Sequence, residues 1–340
     1  MNMKAMMLAA GLGTRLRPIT QYIPKPMLPV FGIPIIEHNL RQLRAQGIRE
    51  VVINLHHMPV QIVQHVKDGG PLGLKVHYSL EPAIMGTAGG IKKVAEQLRE
   101  ATFLVINADT YREFDVAALL DHHRAGDRLI TLLLQANPGL PRHRAVGLGT
   151  RGDVVRFLHL YEQGGDPGEP CDFLGVQAVE PEVLDLIPDG QPWEMHRVFL
   201  RLLNAGRRLG GVRQGGYWMD LGTLQGYLRI HWDALDGRCP VPIPAVQKEP
   251  GVWTAPDVKL EPGARIAPPV FLGSASRVGG MARVGPHAVL GPNAVVERSA
   301  VVERSVLWEG ARVPGSVVVR DAVMAREFRV ALPPTQGEAK

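Results

Sequence analysis

The chain has 340 residues, a formal charge of +5, 45% hydrophobic residues and a mean hydropathy near zero. That length buries a sizeable core and favours two domains, and the composition is that of an ordinary soluble protein. No run of Lys or Arg is long enough for a nucleic-acid arm or a membrane patch, and the mild basicity suits small anionic molecules as well as it does nucleic acid; neither nucleic acid nor a membrane is expected as a partner.

From residue 1 to about 236, short apolar runs alternate with amphipathic stretches, the pattern of an α/β fold with a Rossmann-like, mainly parallel sheet and flanking helices. Strands are predicted at 5–10, 51–55, 75–79, 103–107 and 129–134. Helices are predicted at 33–46, where Ile36, Leu40 and Leu43 share one face, and at 86–99 and 116–124. Residues 237–257 carry prolines at 240, 242, 244, 250 and 256, which reads as an extended linker without regular helix or interior strand. The domains expected are therefore 1–236, a linker over 237–257, and a second domain over 258–330.

In that second domain a six-residue period places Leu260, Ile266, Leu272, Val278, Val284, Leu290, Val296 and Val302 in register, each followed four residues later by Ala, Val or Ser. Gly273, Gly279, Gly285 and Gly291 directly follow the aliphatic position, where a tight corner is expected, so each hexad reads as a short strand plus a turn of a parallel β-helix. Such coils bury an apolar face only by stacking, and their exposed faces and open ends predict a homo-oligomer. The register slips after Val302, Leu307 and Val313 continue it imperfectly, and a frayed polar tail is expected from 332 to 340.

The segment "LAAGLGTRLRP" (8–18) puts two glycines and two arginines where the first strand should end. Leu16 stands where a dinucleotide fingerprint needs its third glycine, and Leu16-Arg17 stands where a Walker loop needs Gly-Lys. What remains is a strand, then Gly11 and Gly13 allowing close backbone approach, then Arg15, Arg17 and Lys25 between Pro24 and Pro26: a cradle for a polyphosphate. Asp109 past the run 103–107 and Asp220 after an aromatic pair could each reach the mouth of the sheet, and two carboxylates without nearby His or Cys suit Mg²⁺.

These stretches resemble the sugar-1-phosphate nucleotidyltransferases, also called nucleotide-sugar pyrophosphorylases. "LAAGLGTRLRP" with "PKPMLPV" (24–30) resembles the family signature, "EPAIMGTAGGI" (81–91) its nucleoside turn, "VINADT" (105–110) its metal-binding strand end, "DFLGVQAV" (172–179) its sugar-binding strand and "YWMDLGTLQGYL" (217–228) its second metal segment. The hexad region resembles the left-handed β-helix that many members carry. The resemblance implies attack of a sugar 1-phosphate oxygen on the α-phosphorus of a nucleoside triphosphate, giving a nucleotide sugar and pyrophosphate. GTP with mannose 1-phosphate is the preferred pair; thymidylyl or uridylyl transfer, or a non-catalytic regulatory or scaffold relative, are the alternatives. It assigns catalysis to Arg15, Lys25, Asp109 and Asp220, the two aspartates holding Mg²⁺. Nucleotide contact falls to Leu8, Ala10, Gly11, Gly13, Thr14, Glu81, Gly86 and Thr87, and sugar-phosphate contact to Asn107, Glu162 and Gly175. Glu81 is a candidate acceptor for a guanine edge, and Gly86 and Thr87 would let the nucleoside lie against the backbone.

One departure stands out. The family's Glu-Lys-Pro segment is represented by Tyr161-Glu162-Gln163, so its lysine is missing, and Arg156 or an arginine of 142–144 is the candidate substitute. The pairs His56-His57 and His122-His123 lack a third ligand at metal spacing and read as structural or solvated. Cys171 and Cys239 are too far apart for a motif and read as idle thiols of a reducing compartment, the cytoplasm, since neither a signal-peptide core nor a bilayer-spanning run is present. His287 within the repeats leaves a hexapeptide acyltransferase as the remaining alternative.

Overall fold

The structure, a computed structural model, describes residues 3–164 and 166–333. They sort into two compact units, Met1–Leu12 with Asn39–Trp218, and Gly13–His38 with Met219–Lys340.

The first unit is built on a ten-stranded sheet. Lys75–Leu80, Glu50–Leu55, Lys4–Leu8 and Phe103–Asn107 are neighbours in that order and all parallel. Ala5, Met6, Met7, Val51, Val52 and Ile53 are fully buried, as strands covered on both faces require. Beyond Phe103–Asn107 the sheet turns antiparallel through Cys171–Val179, Val146–Leu148, Val154–Phe157 and Tyr161–Glu162. The connections between 146 and 162 are too short for a crossover helix, so these strands return as hairpins, and the sheet is mixed. Ile130–Ala136 pairs with Cys171–Val179, and Leu209–Arg213 runs parallel to it on its other edge.

The helix Val116–Arg124 has its predicted bounds and is capped by Asp115, whose carboxylate accepts from the Ala118 N–H at 3.1 Å. The helix expected over 86–99 is two, Gly86–Lys93 and Ala95–Leu98, broken at Val94, where the backbone leaves helical geometry and the side chain is buried. Ile35–Ala45 buries Ile36, Leu40 and Leu43 completely, as its periodicity predicts.

The second unit contains three stacks of short parallel strands, fitting the left-handed β-helix. The partners Val252 and Val270, Lys259 and Arg277, and Arg265 and Arg283 show a rise of one coil per 18 residues, three hexads. Above Val302 the step is 17, as Val289 pairs Val306 and Val295 pairs Arg312. One hexad has lost a residue between Val302 and Leu307, yet Leu290 still stacks on Leu307 and Val296 on Val313. That explains the apparent slip in the sequence.

The corners differ from expectation. Among the four glycines only Gly285 has a positive φ; left-handed residues include Ala275, Met281, His287, Asn293 and Ser299, three positions after Leu272, Val278, Val284, Leu290 and Val296. A Cβ on Gly273 or Gly291 would lie 2.5 Å from the Leu290 carbonyl oxygen or 2.8 Å from that of Leu307. These glycines are needed for the close approach of the next coil rather than for a turn.

The segment read as an extended linker also contains two strands, Val246–Glu249 and Val252–Thr254, the second forming the first rung against Val270–Leu272. The prolines at 244, 250 and 256 flank these strands instead of interrupting them, so no ladder hydrogen bond is lost. At the far end Arg329–Ala331 folds back antiparallel, and Leu332 donates its N–H to the Asp321 carbonyl. The predicted tail from 334 onward lies outside the described residues.

Candidate active site

In the first unit, the C-terminal ends of the parallel strands open into a cleft of about 260 Å³, lined by Leu8, Ala10, Gly11, Asn54, Glu81, Ile84, Gly86, Thr87, Asn107, Asp109 and Glu194. Clefts at this end of an open α/β sheet bind ligands because the strand-to-helix loops leave backbone groups unpaired there. Six of the predicted nucleotide residues and two further candidates, Asn107 and Asp109, come together in it.

Its walls are set by buried polar groups. The Asn54 amide oxygen accepts from the Ala9 N–H at 2.9 Å, and its NH₂ donates to Glu81 Oε1 at 2.8 Å. Glu81, 1% exposed, also accepts from the Met85 N–H at 2.9 Å through Oε2. Both oxygens thus take part in bracing the turn 81–85, and Glu81 fixes this wall of the cleft. His56 Nδ1 lies 2.8 Å from the Glu81 carbonyl oxygen and braces the same turn.

At the start of Gly86–Lys93 the N–H groups of Ala88 and Gly89 donate to the Trp193 carbonyl. A side chain at Gly86, whose φ is +69°, would strike that carbonyl at 2.6 Å, so only glycine admits the strap 191–195. Glu194 Oε2 accepts from the Thr87 hydroxyl at 2.7 Å and from its N–H at 3.2 Å, and the Thr87 hydroxyl oxygen accepts from the Met195 N–H. Sequence inspection missed Asn54 and Glu194: each sits in an ordinary-looking stretch, and its partner lies 27 or 107 positions away.

The Asp109 turn is equally fixed. The Ala108 N–H donates to the Leu8 carbonyl, the Ala108 carbonyl accepts from Asn39, and the Asn107 carbonyl accepts from Arg112 at 2.8 Å. Arg112 is fully buried, and burial pulls its guanidinium down to about 9, the charge of Asp109 opposing that shift.

A second concavity, about 230 Å³, shares Leu8, Thr87, Asn107 and Glu194 with the first and is otherwise walled by Val105, Phe157, Phe173, Gly175, Gln177, Met195, His196 and Phe199. Gly175, with φ +71°, lies where a Cβ would meet the Asn107 amide at 2.7 Å, so the glycine makes room for that side chain. Glu162 lines neither concavity. Phe157 does, and alternation along the strand turns Arg156 and its cross-strand partner Glu162 to the other face. There Glu162 accepts from both Arg156 and Arg142, which hold its carboxyl below the usual carboxylate range, the Arg156 hydrogen bond most strongly. The proposed substitutes for the missing lysine therefore pair with Glu162.

In the second unit, residues 13–28 fold into successive 3₁₀ turns, Thr14–Leu16, Ile19–Gln21 and Lys25–Met27, with Leu16 and Ile19 buried. Gly13 is left-handed at φ +63°, and its carbonyl accepts from the Thr20 hydroxyl at 2.9 Å. Lys25, between its prolines, is buried, and its Nζ lies 3.1 Å from Asp220 Oδ1, which also accepts from the Gly222 N–H at 2.8 Å. Arg15 Nη2, exposed, is 3.7 Å from Asp220 Oδ2. The ring of Phe31 packs edge-on against Phe271 at 5.3 Å, and Tyr22 stacks on Phe328 at 5.2 Å. Trp308 Nε1 donates to the Tyr227 hydroxyl, which donates to the Pro29 carbonyl. His287 is held by Asp236 at 2.8 Å and packs on Trp232.

A mixed α/β sheet with a glycine-lined cleft at its strand ends, joined in sequence to a loop pairing a buried lysine with an aspartate, defines a phosphate-handling enzyme class. The profile of the nucleotidyl transferase family matches residues 4–237, and the chain belongs to that family. It is 37% identical over 240 residues to a mannose-1-phosphate guanylyltransferase of Mycobacterium tuberculosis, across 70% of this chain and 66% of that protein, slightly under two thirds of its length. It is 31% identical to a UTP–glucose-1-phosphate uridylyltransferase of Synechocystis, across 74% of this chain and 69% of that one. It is 34% identical to an N-acetylmuramate α-1-phosphate uridylyltransferase of Neisseria meningitidis, covering 65% of this chain and 94% of the relative. Among solved structures, HddC from Yersinia pseudotuberculosis superposes with a TM-score of 0.57 at 23% identity, over 67% of this chain and 97% of the other, a likeness of fold. No helix among the described residues is long and apolar enough to cross a membrane.

Proposed function

We propose that this chain transfers a nucleotidyl group from a nucleoside triphosphate to a sugar 1-phosphate and releases pyrophosphate, with GTP and mannose 1-phosphate as its substrates. The observation that carries this reading is the pair of concavities sharing Leu8, Thr87, Asn107 and Glu194, one walled by loop glycines and the other by aromatic rings. Two ligands bound there would lie side by side, and holding reactants adjacent is most of what this reaction needs. The choice of guanine and mannose rests on the name of the first relative above.

The nucleophile is already an anion, so no general base is required. The glycine-bearing loop after Lys4–Leu8 presents N–H groups to phosphate oxygens, and Ala9, fixed by Asn54, keeps its start in place. Arg15 would neutralise the departing pyrophosphate and Lys25 the phosphates near the reaction centre. Asp109 and Asp220 are the proposed ligands of Mg²⁺; their donor set is carboxylate oxygen, the chemistry a hard ion prefers, and no His or Cys cluster that would favour zinc occurs among the described residues. When bound, the ion would withdraw charge from the phosphate oxygens it touches. Asp220 has two cationic neighbours, Lys25 Nζ at 3.1 Å and Arg15 Nη2 at 3.7 Å.

Purified protein with Mg²⁺, GTP and mannose 1-phosphate is expected to release pyrophosphate, measured by a coupled phosphate assay. A panel of common triphosphates against several sugar 1-phosphates that gives no product from any pair, while nucleotide still binds, would make the chain a regulatory relative. Homo-oligomer assembly through the coil is part of the proposal. It is supported by exposed Leu260, Met281 and Val318, and size-exclusion chromatography with light scattering on the full chain tests it.

A further inference from the structure

The second concavity is walled by Phe157, Phe173, Phe199 and Met195, yet two amides, Asn107 and Gln177, stand among them. Gln177 is 3% exposed, and its cross-strand neighbours are Val105 and Leu132, both core residues. Its side-chain oxygen is buried and meets no hydrogen-bond donor among the described residues. The residue lies where pairing with Ile130–Ala136 resumes after the irregularity between Phe173 and Gln177, the stretch containing left-handed Gly175.

Leaving a buried amide unsatisfied costs about 1–3 kcal/mol, and an apolar side chain of similar volume would avoid that cost. A polar group kept in such a place is explained when a ligand completes its bonds. An amide offers both an acceptor and donors, which matches a hydroxyl, and phenylalanine rings suit the C–H faces of a pyranose.

Resting on the nucleotidyl-transfer reading above, we propose that Gln177 determines sugar specificity by pairing its amide with one ring hydroxyl of the uncharged hexose moiety of a hexose 1-phosphate. The neighbouring cleft takes the nucleotide, so this amide acts on the acceptor sugar alone.

The test uses the full chain and the substitution Gln177→Met, which keeps the volume and removes the amide. Melting of the ligand-free variant is expected at a higher temperature than wild type, while KM for the sugar 1-phosphate rises about tenfold and KM for GTP stays within about twofold. A loss of packing would lower the melting temperature instead. With a set of singly deoxygenated hexose 1-phosphates, one analogue should bind wild type about tenfold more weakly than its parent, and Gln177→Met should bind that pair equally. The same discrimination in both proteins overturns the proposal. Titration calorimetry reads these ratios without turnover, so a protein that binds the sugars but forms no product refutes nucleotidyl transfer and still decides the role of Gln177. If no sugar 1-phosphate of the set binds wild type, both fall. Gln177→Asn, which withdraws the amide by one methylene, is expected to lose the same discrimination and serves if the Met variant folds poorly.

Discussion

The two halves of the molecule treat buried polarity in opposite ways. In the first unit Asn54, Glu81, Arg112 and Gln177 are each at most 3% exposed and gather at or behind the two concavities. In the coil the interior is Val, Leu and Ala, and the buried polar residues among those described are Ser276 and Ser305. Burying polar groups is unfavourable unless each finds a partner, so they accumulate where geometry must be exact, and a stack whose task is rigidity does without them. Substitutions in the first unit's polar set should therefore alter turnover, and those inside the coil should alter stability.

The sharpest way to break that contrast is Lys25→Ala, in the loop that packs with the coil. If this loop is chemical machinery, kcat falls by about 10²–10⁴-fold while nucleotide affinity changes little, as steady-state kinetics with equilibrium binding would show. A change confined to melting temperature would place it with the scaffold.

Leu290→Ala comes next. Leu290 is fully buried within the stack, and its truncation is expected to remove about 2–5 kcal/mol of stability in denaturant unfolding, with kcat per folded molecule retained.

His231 gives a pH test. It is fully buried, with Nδ1 against the Tyr227 carbonyl and Nε2 accepting from the Phe31 N–H, and burial pushes its pKa down to about 4, with His38 adding to that shift. Between the ordinary histidine value and 4 the unfolded chain binds the extra proton, so stability is complete above that window and declines as pH falls through it, by on the order of 3 kcal/mol. His231→Gln should flatten this acid slope in melting measured from pH 7 to pH 4; an unchanged slope would show that other groups set it.

The smallest effect expected is that of Asp115→Ala, which removes the cap of Val116–Arg124 and should lower stability by about 1 kcal/mol without touching KM or kcat.

Much of this was legible locally. The hexad phase, the strand 103–107 and the helix 116–124 follow from periodicity, because both faces of those elements are decided by neighbours in sequence. The loop glycines and Asp109 were found because small residues after an apolar strand are informative by themselves. The break at Val94, the strands between the prolines of 244–256 and the engaged oxygens of Glu81 depend on contacts that no local pattern encodes. Glu162 shows the same limit: its sequence position suggested the sugar side, and the parity of a two-residue strand turned it toward Arg156. Gln177 lies inside the motif 172–179, but only the three-dimensional core reveals that its amide oxygen is buried without a donor among the described residues.

The loop 13–38 is fastened by Phe31 to Phe271, by Tyr22 to Phe328 and, through Pro29 and Tyr227, to Trp308. A recombinant chimera that exchanged the repeats by splicing at a single junction near residue 236 would keep Lys25 but strip away the rings that hold its loop. Transplanting the repeats between relatives calls for two exchanged cassettes, the early one included.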